Sequence, residues 1–273
     1  MTWQSDAPPP QVAIPLRAWP RLLARALALV LAFASGLLVH ALARLIERPL
    51  AGARRPVSGR VVQAVCRAVL VVLGLRLRIH GEPMPGAGAL VANHTSWLDI
   101  LVLHAVTPVT FVSKAEVAGW PGIGLLARVT GTLFIRRDRR EARAQATLFA
   151  ARLEAGQRLL FFPEGTSSDG LQVLPFKPAL FEALLAPALR ARLHLQPVSL
   201  SYHAPDGADW RFYGWWGDMD FGHHALGVLA QRPQGSVTLR FHPPLAIADQ
   251  TDRKALAATA EAAVRAGVCR ADT

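Results

Sequence analysis

The sequence predicts an α/β domain, a mixed sheet flanked by helices, preceded by an N-terminal hydrophobic and amphipathic helical segment that seeks a membrane. Three features carry that reading. An uncharged run of eighteen residues, Ala26–Ala43, is bracketed by arginines. From Leu75 onward, short Val-, Leu- and Phe-rich runs alternate with stretches of helical period. The positive charge is confined to one end: of a net +11 over 273 residues, residues 1–80 hold eleven arginines against Asp6 and Glu47, while the remainder is nearly balanced. That balance leaves no basic stripe for a nucleic-acid backbone to follow, so a membrane surface is the partner the charge implies and nucleic acid is not. An apolar content of 52% excludes a disordered chain. Cys66 and Cys269 lie too far apart in sequence to suggest a disulfide scaffold or a zinc module.

Residues 1–18, with Pro8-Pro9-Pro10, read as a flexible leader, and residues 19–74 as a membrane-associated helical segment. At about 1.5 Å per residue, Ala26–Ala43 is just long enough to cross a bilayer core. Arg17, Arg21 and Arg25 precede it, Arg44 and Arg48 follow, and Trp19 suits the headgroup level. A cleaved signal peptide fits less well, because the run begins late and arginines follow it. In Ser58–Gly74, Arg60, Gln63 and Arg67 share one helical face and Val, Ala and Leu the other, the pattern of an interfacial or back-packed helix.

Residues 75–273 form the α/β domain. Strands are expected at Arg76–His80, Ala89–Ala92, Thr110–Ser113, Thr132–Ile135, Arg158–Phe162, Pro197–Tyr202 and Val237–Phe241. Helices are expected at Trp97–Val106, Gly122–Val129, Arg140–Ala155, Ala179–Leu185 and Arg253–Ala266. Residues 203–235 are too rich in Gly and Trp to assign.

Polar clusters follow the strands directly, where ligands sit in open α/β sheets. His94 follows Leu90-Val91-Ala92 and stands five residues before Asp99, close enough for a carboxylate to hold one ring nitrogen of a general base. Taken singly, Ser96 and Asp99 also fit a helix cap. Phe161-Phe162-Pro163 leads into Glu164, Gly165 and Thr166, where glycine permits close backbone approach to an anion. Solvated turn residues are the plain alternative. Lys114 and Arg137 add a cation after each of two further strands.

In that order the clusters resemble the glycerolipid acyltransferase family, whose bacterial members include 1-acylglycerol-3-phosphate acyltransferases. The likeness runs from about Leu75 to Tyr202. Asn93-His94-Thr95-Ser96-Trp97-Leu98-Asp99 matches the family's His-x4-Asp block. Gly131-Thr132-Leu133-Phe134-Ile135-Arg136-Arg137 matches the second block, with Arg137 on its substrate-binding arginine. Phe162-Pro163-Glu164-Gly165-Thr166 and Gln196-Pro197-Val198 match the third and fourth. The third block commonly continues with Arg, which favours a phosphate-bearing acceptor; here Ser167 stands instead. Ser167-Ser168-Asp169-Gly170 and Trp215-Trp216-Gly217-Asp218-Met219-Asp220 resemble the lyso-ornithine lipid acyltransferase branch.

The resemblance implies fatty acyl transfer from a thioester, on acyl carrier protein or coenzyme A, to the hydroxyl of a membrane lyso-lipid. No metal or other cofactor is implied. His94 would be the base and Asp99 its orienting carboxylate, and Lys114 and Arg137 would hold the acceptor's anionic headgroup. Glu164 would bind the acceptor's polar backbone, and N–H groups near Gly165 and Thr166 would face the oxyanion. A cytoplasmic donor implies a domain on the cytoplasmic face of the inner membrane, in agreement with the arginine-rich flank. Two other classes compete. A hydrolase would use Ser96 or Ser167 beside His94, although no Gly-x-Ser-x-Gly elbow occurs. A non-catalytic lipid-binding module would leave His94 and Asp99 as a cap.

Overall fold

The fold is taken from a computed structural model, which describes residues 3–10, 12–52, 54–120, 122–135 and 142–268. In chain order the elements begin with α1 (Trp19–Ala51), α2 (Ser58–Leu73), β1 (Arg76–His80), β2 (Gly88–Ala92), α3 (Leu98–Val106) and β3 (Thr110–Lys114). They continue with α4 (Ile123–Thr130), β4 (Leu133–Ile135), α5 (Ala142–Glu154), β5 (Arg158–Phe161), α6 (Pro187–Arg190) and β6 (His194–His203). The chain closes with α7 (Phe221–Ala230), β7 (Ser236–Phe241), β8 (Leu245–Ala246) and α8 (Arg253–Gly267).

The strands form one mixed sheet in the order β1-β7-β6-β2-β5-β3-β4, with β8 pairing β6. Every neighbour from β6 through β4 is parallel, whereas β7 runs antiparallel to β6. Parallel pairing brings the C-terminal ends of β2, β5, β3 and β4 to one edge, the edge at which the polar clusters emerge. Side chains alternate between two cores as the strand period of two requires. Leu90 and Ala92 face one core with α2, α3 and Leu160; Ala89 and Val91 face the other with α5, α8 and Leu159. β2 is buried along its whole length, as a central parallel strand must be.

All seven expected strands are present. Three of these elements went unassigned: β8 has only two residues, α6 only four, and α7 lies within the Gly- and Trp-rich region. Pro178–Leu185 forms 3-10 turns rather than the expected α-helix, between prolines that limit its extension. The expected helix from Arg140 is described from Ala142.

The apolar run is only the middle of α1, which with the preceding 3-10 turn forms Leu16–Ala51, the one described helix long and apolar enough to cross a membrane. Its outer face is exposed and apolar, including Leu23, Leu27, Leu31, Leu38, Leu42 and Leu45. Its inner face is fastened along its length. Arg21 donates to the carbonyl of Ala230, and Arg25 to those of Leu229 and Gln231, meeting the negative end of α7. Further along, Leu29 and Phe33 pack on the core, His40 Nε2 pairs with the Val129 carbonyl, and Glu47 accepts from the N–H groups of Val57 and Ser58. Two of the flanking arginines therefore grip the domain rather than face a headgroup.

Candidate active site

The candidate catalytic edge is built by three loops. After β2, Asn93 acts as a substitute strand residue: its amide donates to Leu200 O at 2.9 Å and accepts from Leu200 N–H at 2.8 Å. This clip fixes where His94 emerges. His94 Nδ1 lies 2.7 Å from Asp99 Oδ2, with Asp99 in the first turn of α3 and fully buried. The same carboxylate oxygen accepts from the N–H groups of Thr95 (2.8 Å) and Ser96 (3.0 Å). Cap and imidazole partner are thus one group performing both roles. Asp99 Oδ1 accepts from the Tyr202 hydroxyl at 2.7 Å. Four donors hold this carboxylate, so its position is over-determined.

The His94 ring stacks on Phe162, with centroids 4.0 Å apart and planes within 9°. Its side chain is about one-fifth exposed and borders an apolar cavity of about 500 Å³. The cavity runs between Phe33 and Leu37 of α1, Val65 of α2, Leu101 of α3 and Trp97 just before that helix. With Nδ1 turned to Asp99, Nε2 is the nitrogen available to a reacting group.

The third-block turn lies behind and beside this pair. Gly165 has φ +72°, which favours glycine, and its N–H donates to Phe162 O at 3.1 Å within the turn. That donor is therefore used by the turn itself rather than reserved for an oxyanion. Glu164 is 1% exposed; its Oε1 accepts from the His94 N–H at 3.3 Å and its Oε2 has no partner. Burial raises its pKa to about 9, aided by the charge on Asp99 and opposed by the His94 N–H. Glu164 is neutral at pH 7 and its Oε1 supports the His94 backbone from behind. The Ser168 N–H donates to His94 O, and the Trp215 N–H to Thr95 O, each at 2.9 Å, knitting the three loops together.

The expected leader lies on the domain instead of trailing from it. The Trp3 N–H donates to Thr166 Oγ1 at 3.3 Å, Ser5 Oγ to Asp169 at 3.4 Å and Gln4 to Asp218 at 3.2 Å. Trp3 meets Trp216 edge-on, and Val12 packs on the core. Lys114 ends β3 at the catalytic edge. Arg137 lies outside the described residues. Ser96 is buried, with its hydroxyl accepting from the Leu98 N–H at 3.3 Å, and Ser167 is 8% exposed. Among the described residues no group of three His, Cys, Asp or Glu side chains gathers as a metal site would.

Sequence reasoning missed Tyr202 and Asn93. Each carries a signal in retrospect, a polar group ending a buried apolar strand at the catalytic edge.

The family model described as Acyltransferase matches residues 76–201. A lyso-ornithine lipid O-acyltransferase of Rhodobacter capsulatus is 52% identical, over 97% of this chain and 96% of its own length. One from Brucella abortus is 42% identical over 73% of this chain and 78% of its own. A 1-acyl-sn-glycerol-3-phosphate acyltransferase of Neisseria meningitidis is 40% identical over 54% of this chain and 58% of its own. The crystal structure of the 1-acyl-sn-glycerophosphate acyltransferase of Thermotoga maritima shares the fold, with TM-score 0.62 at 20% identity, over 92% of this chain and 95% of that one.

Proposed function

Given that the chain belongs to the acyltransferase family, we propose that it transfers a fatty acyl chain from acyl carrier protein or coenzyme A to the hydroxyl of a lyso-lipid, with His94 as general base. The observation that carries this is the His94–Asp99 pair at 2.7 Å, placed beside a long apolar cavity. An alcohol is a weak nucleophile near neutral pH. His94 Nε2 takes its proton as the oxygen attacks the thioester carbonyl. Asp99 holds the tautomer that leaves Nε2 unprotonated, and then stabilises the imidazolium. Collapse of the tetrahedral intermediate breaks the carbon–sulfur bond, and the imidazolium returns its proton to the thiolate. No step calls on a cofactor. The cavity takes the acyl chain, shielding it from water.

The relatives named for lyso-ornithine lipid favour that acceptor. In support, Ser167 stands where phosphate-accepting relatives commonly place arginine. Lys114 and, by its sequence position, Arg137 hold the acceptor's anionic group. With its inner face fastened to the domain and its outer face apolar, α1 lies in one leaflet of the inner membrane. The active site then sits at the cytoplasmic face, beside a bilayer acceptor and a soluble donor.

Purified protein given labelled acyl donors and a panel of lyso-lipids tests this. Transfer preferring lyso-ornithine lipid over lysophosphatidic acid, and lost by about 10³-fold or more in His94→Ala, is the expected result. Near-normal turnover by His94→Ala refutes the mechanism; preference for lysophosphatidic acid refutes the acceptor.

A further inference from the structure

A second cavity, of about 530 Å³, opens at the other edge of the sheet, beneath the α1–α2 connection. Its character is opposite to that of the acyl cavity. Arg54, Arg55 and Arg158 line it together with His40 and His104, and among the described residues no carboxylate does. Arg55 Nη1 donates to Val129 O at 3.0 Å, but Arg55 Nε is buried and has no partner. His40 is 4% exposed; its Nε2 pairs with that same carbonyl, and its Nδ1 has no partner. Burial, with Arg44 and Arg152 nearby, lowers Arg55 to about 10, which leaves it charged at neutral pH. Glu47 is the carboxylate whose charge favours Arg55, yet its own oxygens are engaged by the Val57 and Ser58 N–H groups and by Arg44. A chamber with three guanidiniums, an unpartnered buried N–H on Arg55 and, among the described residues, no internal counter-charge suits an oxyanion.

The two cavities share His40, Val62, His104 and Thr130 in their walls. The apolar one leads from these residues to His94; the basic one leads from them to Arg54, Arg55 and Arg158. An occupant complementary to both has one alkyl chain and one anionic end.

We propose that the basic chamber is a binding site for the carboxylate of a free long-chain fatty acid, whose tail enters the acyl cavity from the end remote from His94. The proposal rests on the acyltransferase reading only in naming the apolar cavity as the acyl site. Occupancy of the shared cavity makes the fatty acid a competitor of the acyl donor, coupling transfer to the level of unesterified acid at the membrane. No bond is made or broken. Arg54, which is exposed, supplies the entering charge; Arg158 donates to Gly86 O and to Thr107 Oγ1 and keeps a further nitrogen for the ligand.

The full chain is tested without acceptor, by displacement of a bound fluorescent polyene fatty acid with palmitate, hexadecanol or inorganic phosphate. Palmitate is expected to displace it at about tenfold lower concentration than hexadecanol, and the gap to close in Arg54→Gln and in Arg158→Gln while the hexadecanol curve stays in place. Arg54 is the safer variant, because no side-chain bond of the fold is removed with it. Equal potency of acid and alcohol in the wild type overturns the proposal, as does a gap that survives both substitutions. Displacement by phosphate alone overturns it too, marking a headgroup site without a chain. His94→Ala abolishes transfer but leaves displacement unchanged, so failure of the catalytic reading and failure of this one are told apart.

Discussion

Glu164→Gln separates two roles for a residue that the sequence assigned to substrate contact. The carboxyl is 1% exposed, one of its oxygens is unpartnered, and its pKa is about 9. In the unfolded chain the group titrates near the ordinary glutamate value of 4.5. Below that pH both states are protonated and the neutral carboxyl costs nothing. Between about 4.5 and 9 the unfolded state releases its proton while the native state keeps it, so stability falls as pH rises, by about 1.4 kcal/mol per unit; above 9 the loss stops growing. At pH 7 the accumulated loss is up to about 3 kcal/mol. Glutamine mimics the neutral carboxyl and does not titrate. Glu164→Gln should therefore flatten this part of the pH dependence and be more stable than wild type at pH 7–8, with its carbonyl still accepting from His94 N–H. Chemical denaturation in detergent across pH 5–9 measures the slope. Acyl transfer should stay within a few-fold of wild type at pH 7, with the acceptor KM unchanged. A variant less stable than wild type at pH 8 with the same slope, or an acceptor KM raised tenfold or more, would refute the buried, neutral carboxyl and restore the substrate contact.

Tyr202→Phe removes one of the four donors on Asp99 with little change of shape, and should lower kcat by about 10–100-fold with KM nearly constant in steady-state assays. Asn93→Ala breaks both bonds between the His94 loop and β6; loss of about 2 kcal/mol or more of stability together with slowed transfer is expected from melting and rate measurements. Deleting residues 2–10 frees Thr166 and Asp169 from Trp3 and Ser5, and should raise the acceptor KM several-fold while leaving the donor KM alone, read from initial rates with each substrate varied in turn. Leu90→Ala, in the fully buried centre of the sheet, should cost about 2–5 kcal/mol in denaturant titrations.

Much of the molecule was legible because its signals are local. Strand period, the arginine-bracketed apolar run and His94 five residues before Asp99 are all contained in short stretches of chain. Asp99 lies within reach of His94 because the short loop between them folds back on the Asp99 carboxylate at the start of α3. Other features depend on residues a hundred or more positions apart. Tyr202 reaches Asp99, and Asn93 reaches Leu200, because β6 pairs with β2; nothing in the intervening sequence announces that pairing. Glu164 reads as a functional carboxylate in sequence and as a neutral prop in space, since burial sets its protonation and burial is a property of the whole fold. The leader looked free because proline-rich polar segments usually are, yet its backbone and side chains find partners on loops more than 150 residues away. Composition and periodicity thus determined the fold class and the membrane-seeking helix, and the motif order singled out His94 and Asp99 as the candidate site. Which groups surround that pair, which charges are neutralised and which residues the two cavities share were decided only by tertiary contacts, because desolvation and long-range pairing depend on what the chain packs against rather than on what precedes it.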